Sequence, residues 1–168
     1  SVQAAIGWTF DALTDDQRTL LADVGRFAGT FTVGAAAGTS GLDSARTSEL
    51  LTQLVGRSLV AVDRSGTGRR RFRVLESTRE FLAEREDPAR ITAWRLRHRR
   101  WFADLASRLG PTLRTYEARD TMAVLDGFRA DLTVAFEDAV ADGDRDAAVR
   151  LAGWQAHYWF LRGMLREG

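Results

Sequence analysis

The 168-residue chain has no cysteine. That excludes disulfides, zinc–thiolate sites and thiol catalysis. It has no lysine either, since all 24 basic residues are arginine. A phosphate loop of the G-x-x-x-x-G-K-[ST] type needs that lysine, and so does Schiff-base chemistry. Only two prolines interrupt the chain, Pro88 and Pro111, which favours helices. No apolar run approaches the ~18 residues of a membrane span, and no signal-peptide pattern is visible. The expectation is a soluble, cytoplasmic chain with no membrane partner. No serine stands in a G-x-S-x-G context, and the two histidines lack H-E-x-x-H spacing, so no hydrolase or metal site is expected. Adjacent carboxylates such as Asp15-Asp16 and Glu137-Asp138 diverge on a helix and read as surface or capping groups. No constellation supplies nucleophile, base and stabiliser together, so the chain reads as non-catalytic.

What is present is an ordinary globular composition, 45% hydrophobic with net charge +1. The length corresponds to one domain or two small ones. The net charge hides a split. Residues 1–63 carry 4 Arg and 7 acids, residues 64–119 carry 15 Arg and 7 acids, and residues 120–168 carry 5 Arg and 9 acids. A basic middle between acidic ends suits nucleic acid or an acidic protein surface. The chain begins at Ser1 and ends inside a helical pattern, so it reads as part of something longer.

Helical signals open the chain. Residues 2–12 form a short helix with Ala5, Ile6 and Trp8. Thr14 with Gln17 fits a capping box, and Leu20, Leu21, Val24 and Phe27 follow helical spacing toward a stop at Gly29. An Ala-rich helix over 32–38 precedes a loop at Gly38-Thr39-Ser40-Gly41. A third helix, about 47–57, buries Leu50, Leu51, Leu54 and Val55. The pattern then changes. Leu59-Val60-Ala61-Val62, a turn at Ser65-Gly66-Thr67-Gly68, and alternating Arg71-Phe72-Arg73-Val74-Leu75 predict a hairpin. Ser77 with Glu80 predicts a capping box and a helix to about Arg85. Three helices followed by a hairpin is the order of a winged helix.

The remainder is helical. Residues 91–109 place Trp94, His98, Trp101, Phe102, Leu105 and Leu109 on one stripe, ended by Gly110-Pro111. Residues 121–141 place Leu125, Phe128, Leu132, Ala135, Phe136 and Ala139 on another. After Asp142-Gly143-Asp144, residues 145–163 form the last helix. Two antiparallel helices with a tight turn resemble one helical-repeat unit, which needs further repeats after Gly168 to cover its faces. The expected fold class is mainly α: a winged-helix domain with a small β-hairpin wing, then an antiparallel TPR-like segment.

Several segments together resemble a known family. They are Trp8-Thr9-Phe10-Asp11, Leu13-Thr14-Asp15-Asp16-Gln17-Arg18, Phe27-Ala28-Gly29-Thr30-Phe31, Leu54-Val55-Gly56-Arg57-Ser58-Leu59-Val60 and the run Arg71 to Phe81. At the C-terminus, Trp159 to Gly163 and Arg166-Glu167-Gly168 complete the pattern. In order and spacing they are similar to the region after the nucleotide-binding core of bacterial STAND-type (NB-ARC-like) ATPase regulators. These include AfsR/SARP-like, LuxR-type and cyclase-fused transcriptional regulators. The resemblance implies a linker helix over 1–11 from an ATPase core, a winged helix over 12–86 and the start of a TPR-like array over 91–168. It implies a non-catalytic regulatory module that packs on the upstream core, holds the resting state and relays sensing of a partner or ligand. ATP or ADP would sit on that core, with no cofactor in this segment. The partners would be the core, the downstream repeats and an effector protein or ligand. Some relatives carry Met-His-Asp after the second wing strand, with the histidine on the nucleotide phosphate. Here Val74, Leu75 and Glu76 occupy those positions, and leucine cannot donate to phosphate.

The residues that could carry contacts are basic. Arg69, Arg70, Arg71 and Arg73 lie on the wing and suit phosphate or interdomain contact. Glu76 favours a helix start, and Glu76 and Arg79 join the wing arginines as candidates for interdomain or phosphate contact. Arg95 and Arg99, four apart, share a helix face and suit acidic groups on another domain. Against these stands a plain solvated surface. The helix that would enter a DNA groove offers Ser48, Glu49, Thr52, Gln53 and Arg57, too little positive charge for direct reading of DNA. The alternatives kept open are a DNA-binding winged-helix protein and a helical protein-binding scaffold. His98, between Trp94 and Trp101, reads as a core histidine. The five tryptophans read as interhelix core, or as interface residues exposed where a neighbour would sit.

Overall fold

The computed structural model describes residues 1–64 and 68–166, with side chains up to residue 163. The expected turn at Ser65, Gly66 and Thr67 lies outside the described residues, as do Glu167 and Gly168. The fold is mainly helical, with a winged helix followed by a helical segment. It divides into two compact units, Ser1–Arg97 and His98–Gly168.

In the first unit, helix α1 (Val2–Asp11) buries Ile6 only. It packs against α5 (Glu76–Ala83), where Phe10 and Phe81 meet at 5.3 Å. Trp8, one of the tryptophans read as core or as exposed interface, is 80% exposed. Helix α2 (Asp15–Val24) starts from the capping box read in the sequence. The Thr14 N–H donates to Gln17 Oε1 at 2.9 Å and the Gln17 N–H to Thr14 Oγ1 at 3.3 Å. The helix ends at Gly25, not Gly29. A Cβ on Gly25 would stand 2.7 Å from Leu82 Cδ1, the tip of a side chain on α5. Leu20, Leu21 and Val24 are fully buried, each contributing roughly 1.5–3 kcal/mol of apolar burial.

Helix α3 (Val33–Ser40) runs through the segment expected to be a loop. Thr39 is buried, its hydroxyl donating to the Ala35 carbonyl at 3.0 Å. The stop comes at Gly41, in the left-handed region at φ 72°, where glycine has no steric penalty. Helix α4 (Ser44–Gly56) buries Thr47, Leu50, Leu51 and Leu54. Strands β1 (Val60–Asp63) and β2 (Arg71–Val74) form an antiparallel pair, with Val60 opposite Val74 and Asp63 opposite Arg71. Phe31 adds a single bridge to Phe72. The predicted Ser77–Glu80 capping box does not form. Helix α5 begins one residue after Leu75, which caps without a side-chain bond, because the strand runs directly into the helix.

Helix α6 (Pro88–Leu109) contributes to both units, and the division falls inside it. In the second unit it is followed by a 3-10 turn, Gly110–Arg114. The sequence predicted one helix over 121–141. The structure has two, α7 (Ala118–Gly127) and α8 (Arg129–Ala141). The break at Phe128 turns its ring into Trp101 and Phe102, at 5.5 and 5.3 Å. The predicted last helix is likewise split, into α9 (Arg145–Ala152) and α10 (Gln155–Arg166). Helices α8 and α9 pack together. No helix of the described residues is long and apolar enough to cross a membrane.

Candidate functional site

The wing is fixed at its base. Phe31 and Phe72 exchange backbone hydrogen bonds at 2.9 and 2.7 Å. Arg71 donates to Thr30 twice, from Nε to Oγ1 at 2.7 Å and from Nη2 to the carbonyl at 2.9 Å. Arg79 donates to the Phe27 carbonyl at 2.6 Å. These two arginines therefore hold the winged helix together. Arg69, Arg70 and Arg73 are exposed, as are Arg57 and Arg64 nearby. Arg70 lies over the Phe72 ring at 5.3 Å. Glu76 is exposed in the first turn of α5.

Helix α4 has the position that enters a DNA groove in helix-turn-helix proteins. Its exposed positions include Ala45, Ser48, Glu49, Thr52 and Gln53. Its cation Arg46 is spent internally, on Asp16 at 2.7 Å and Glu49 at 2.8 Å. The outer flank of α4 is thus neutral to acidic up to the exposed Arg57 at its C-terminal cap.

The first half of α6 is docked by three side chains at helical spacing, Arg90, Trp94 and Arg97. Trp94 meets Phe27 edge-on at 5.7 Å, and Arg97 Nε donates to the Thr39 carbonyl at 2.5 Å. Between them lies Asp23, only 2% exposed. Its carboxylate is 3.1 Å from Arg26, 3.9 Å from Arg90 and 3.8 Å from Arg97. Desolvation dominates and raises the Asp23 pKa above its ordinary value, against the lowering pull of the three arginines. The sequence analysis did not single out this cluster. An acid on the buried Leu20–Leu21–Val24 stripe was the available signal, because such an acid needs cations from elsewhere.

Arg95 and Arg99 were expected to share a face. Arg95 is half-buried, whereas Arg99 is 5% exposed. Arg99 reaches Asp142 Oδ2 at 2.5 Å and Asp144 Oδ2 at 3.1 Å, clamping the α8–α9 turn. His98 is fully buried, with Nε2 2.9 Å from Asp131 Oδ1. That partner is 33 residues away, so spacing gave no hint of it. Arg150 contacts Asp104 and Asp146. A shallow groove of about 440 Å³ beside it is lined by Ser107, Pro111, Arg114, Trp154 and His157. Trp94 and Trp154 are buried, whereas Trp159 is 50% exposed under the Arg129 guanidinium. Among the described residues, no cluster of His, Asp and Glu could hold a metal ion.

A phosphate contact after β2 does not fit these residues. Leu75 has no donor, and Glu76 places a carboxylate at the helix start, where it competes with an anion.

The order of helices, bridge and hairpin is that of a winged helix, and residues 13–87 match the family model described as a winged helix-turn-helix domain. Over its whole length the chain is 31% identical to proteins named as HTH-type transcriptional regulators in Mycobacterium bovis and in strains of Mycobacterium tuberculosis. It spans 19% of the length of those relatives.

Proposed function

We propose that this segment is a non-catalytic regulatory module of a STAND-type ATPase transcriptional regulator. It packs on a nucleotide-binding core, helps hold the resting state and relays sensing by helical repeats. ATP or ADP binds the core in this reading, and the protein works in the cytoplasm. The observation that carries it is the outer flank of α4. A winged helix whose groove-entering helix exposes Ser48, Glu49, Thr52 and Gln53, with Arg46 tied to Asp16 and Glu49, suits protein contact better than DNA reading. The family-like motif order supports it, and so does the regulator name of relatives about five times longer.

The test is association of this chain with the nucleotide-binding region of its parent protein, measured by calorimetry with ADP and with ATP. Binding that differs between the nucleotides is the expected result. Equal binding, or none, overturns the reading.

A DNA-binding reading is favoured by one observation, the basic wing on a winged helix-turn-helix domain. Salt-sensitive, sequence-selective binding of duplex DNA would establish it in place of the first.

A further inference from the structure

We propose that the wing is a docking surface for an acidic, carboxylate-rich protein face. This rests on the reading above that the winged helix acts through protein contact, and it names the chemistry of the partner.

The first argument is charge. Residues 57–74 hold six arginines, Arg57, Arg64, Arg69, Arg70, Arg71 and Arg73, against one acid, Asp63. Asp63 stands opposite Arg71 in the strand register, so the local acid is matched within the hairpin. Among the described residues, Arg57, Arg64, Arg69 and Arg73 have no ion-pair partner, while Arg26, Arg46, Arg97 and Arg99 elsewhere are committed to carboxylates.

The second argument is rigidity. Arg73 projects from a strand whose alternate residues Phe72 and Val74 are buried. The base of the hairpin is held by the Phe31–Phe72 exchange and by Arg71 on Thr30. Arg73, presented on a fixed strand, loses less freedom on binding. The planar guanidinium of arginine suits bidentate carboxylate pairing.

The third argument separates protein from nucleic acid. On or beside the exposed flank of α4, Asp16, Asp43 and Glu49 outnumber the one cation beside them, Arg46, which is paired with Asp16 and Glu49. A duplex seated on both wing and α4 would bring phosphates onto those carboxylates. A compact acidic face that engages the wing alone meets no such repulsion.

The experiment uses the full chain and two fluorescent probes, read by anisotropy at low and raised salt. One probe is a helical peptide with glutamate at every third or fourth position. The other is a short duplex DNA. The variant Arg64→Glu/Arg69→Glu/Arg73→Glu changes exposed side chains only, and its melting temperature confirms the fold. Arg108→Glu, exposed in the second unit, is the charge control.

The expected result is salt-sensitive peptide binding that the triple variant weakens by roughly tenfold or more. Arg108→Glu leaves it unchanged, and the duplex binds more weakly than the peptide. Absence of peptide binding, or binding indifferent to the triple variant, overturns the proposal and leaves the nucleotide-dependent association to its own test. Tighter duplex binding also overturns it. If Gln53→Glu on α4 then abolishes duplex binding, the protein-contact reading falls with it.

Discussion

Phe31 and Phe72 exchange both backbone hydrogen bonds and stack their rings with centroids 6.0 Å apart. Phe31 also stacks on Phe27 at 5.0 Å, and Phe27 meets Trp94 edge-on at 5.7 Å. A continuous series of rings therefore runs from the wing to α6 within the first unit.

Replacing Phe72 by Ala removes one member of that series. Truncating a buried aromatic lowers stability by about 3–5 kcal/mol. Denaturant unfolding of the chain should show that loss. Hydrogen exchange should rise first at Phe31 and along β2, where the bridge is broken.

Asp23 makes a pH prediction with a defined sign. Its folded pKa is raised above the ordinary carboxylate value, chiefly by desolvation. The folded state therefore binds this proton more tightly than the unfolded state does. The stability from that proton is fully present below the unfolded value, near pH 4, and is lost as pH rises through the folded pKa. The urea midpoint, followed upward from about pH 4, should fall in the wild type relative to Asp23→Asn. Parallel curves for the two proteins would contradict this.

Ser58 follows the end of α4 with φ 59°. Its N–H donates to the Val55 carbonyl at 3.0 Å, and the Leu59 N–H to the Leu54 carbonyl at 3.2 Å. This is the left-handed position that glycine normally fills at a helix end. Ser58→Gly should raise stability by roughly 1 kcal/mol through relief of that strain. A thermal melt that moves downward would refute the assignment.

Asp131 is buried against His98. Asp131→Ala leaves a buried imidazole nitrogen without its acceptor and should destabilise the chain by about 1–3 kcal/mol. A double-mutant cycle with His98→Ala should give a non-zero coupling energy.

The sequence made the local devices legible. The Thr14–Gln17 box depends on residues three apart, and the Arg71–Leu75 alternation on neighbours. Both are visible in a short window. The helix stops at Gly25 and not at Gly29, and Gly25 packs beside the Leu82 side chain, 57 positions on. The Gly38 loop failed because the chain tolerates glycine in a helix until Gly41 provides the left-handed turn. Phe128 broke a helix that periodicity joined, since only the folded packing shows where its ring goes. In the candidate site, the basic wing was readable from composition. The loss of Arg71 and Arg79 to backbone carbonyls was not, and neither was the burial of Arg99 by Asp142 and Asp144.

Helix α6 carries Trp94 for the first unit and Phe102 for the second, with no loop between them. A chain cut between Arg97 and His98 would therefore leave the last four carbonyls of one fragment and the first four N–H groups of the other without their helical partners.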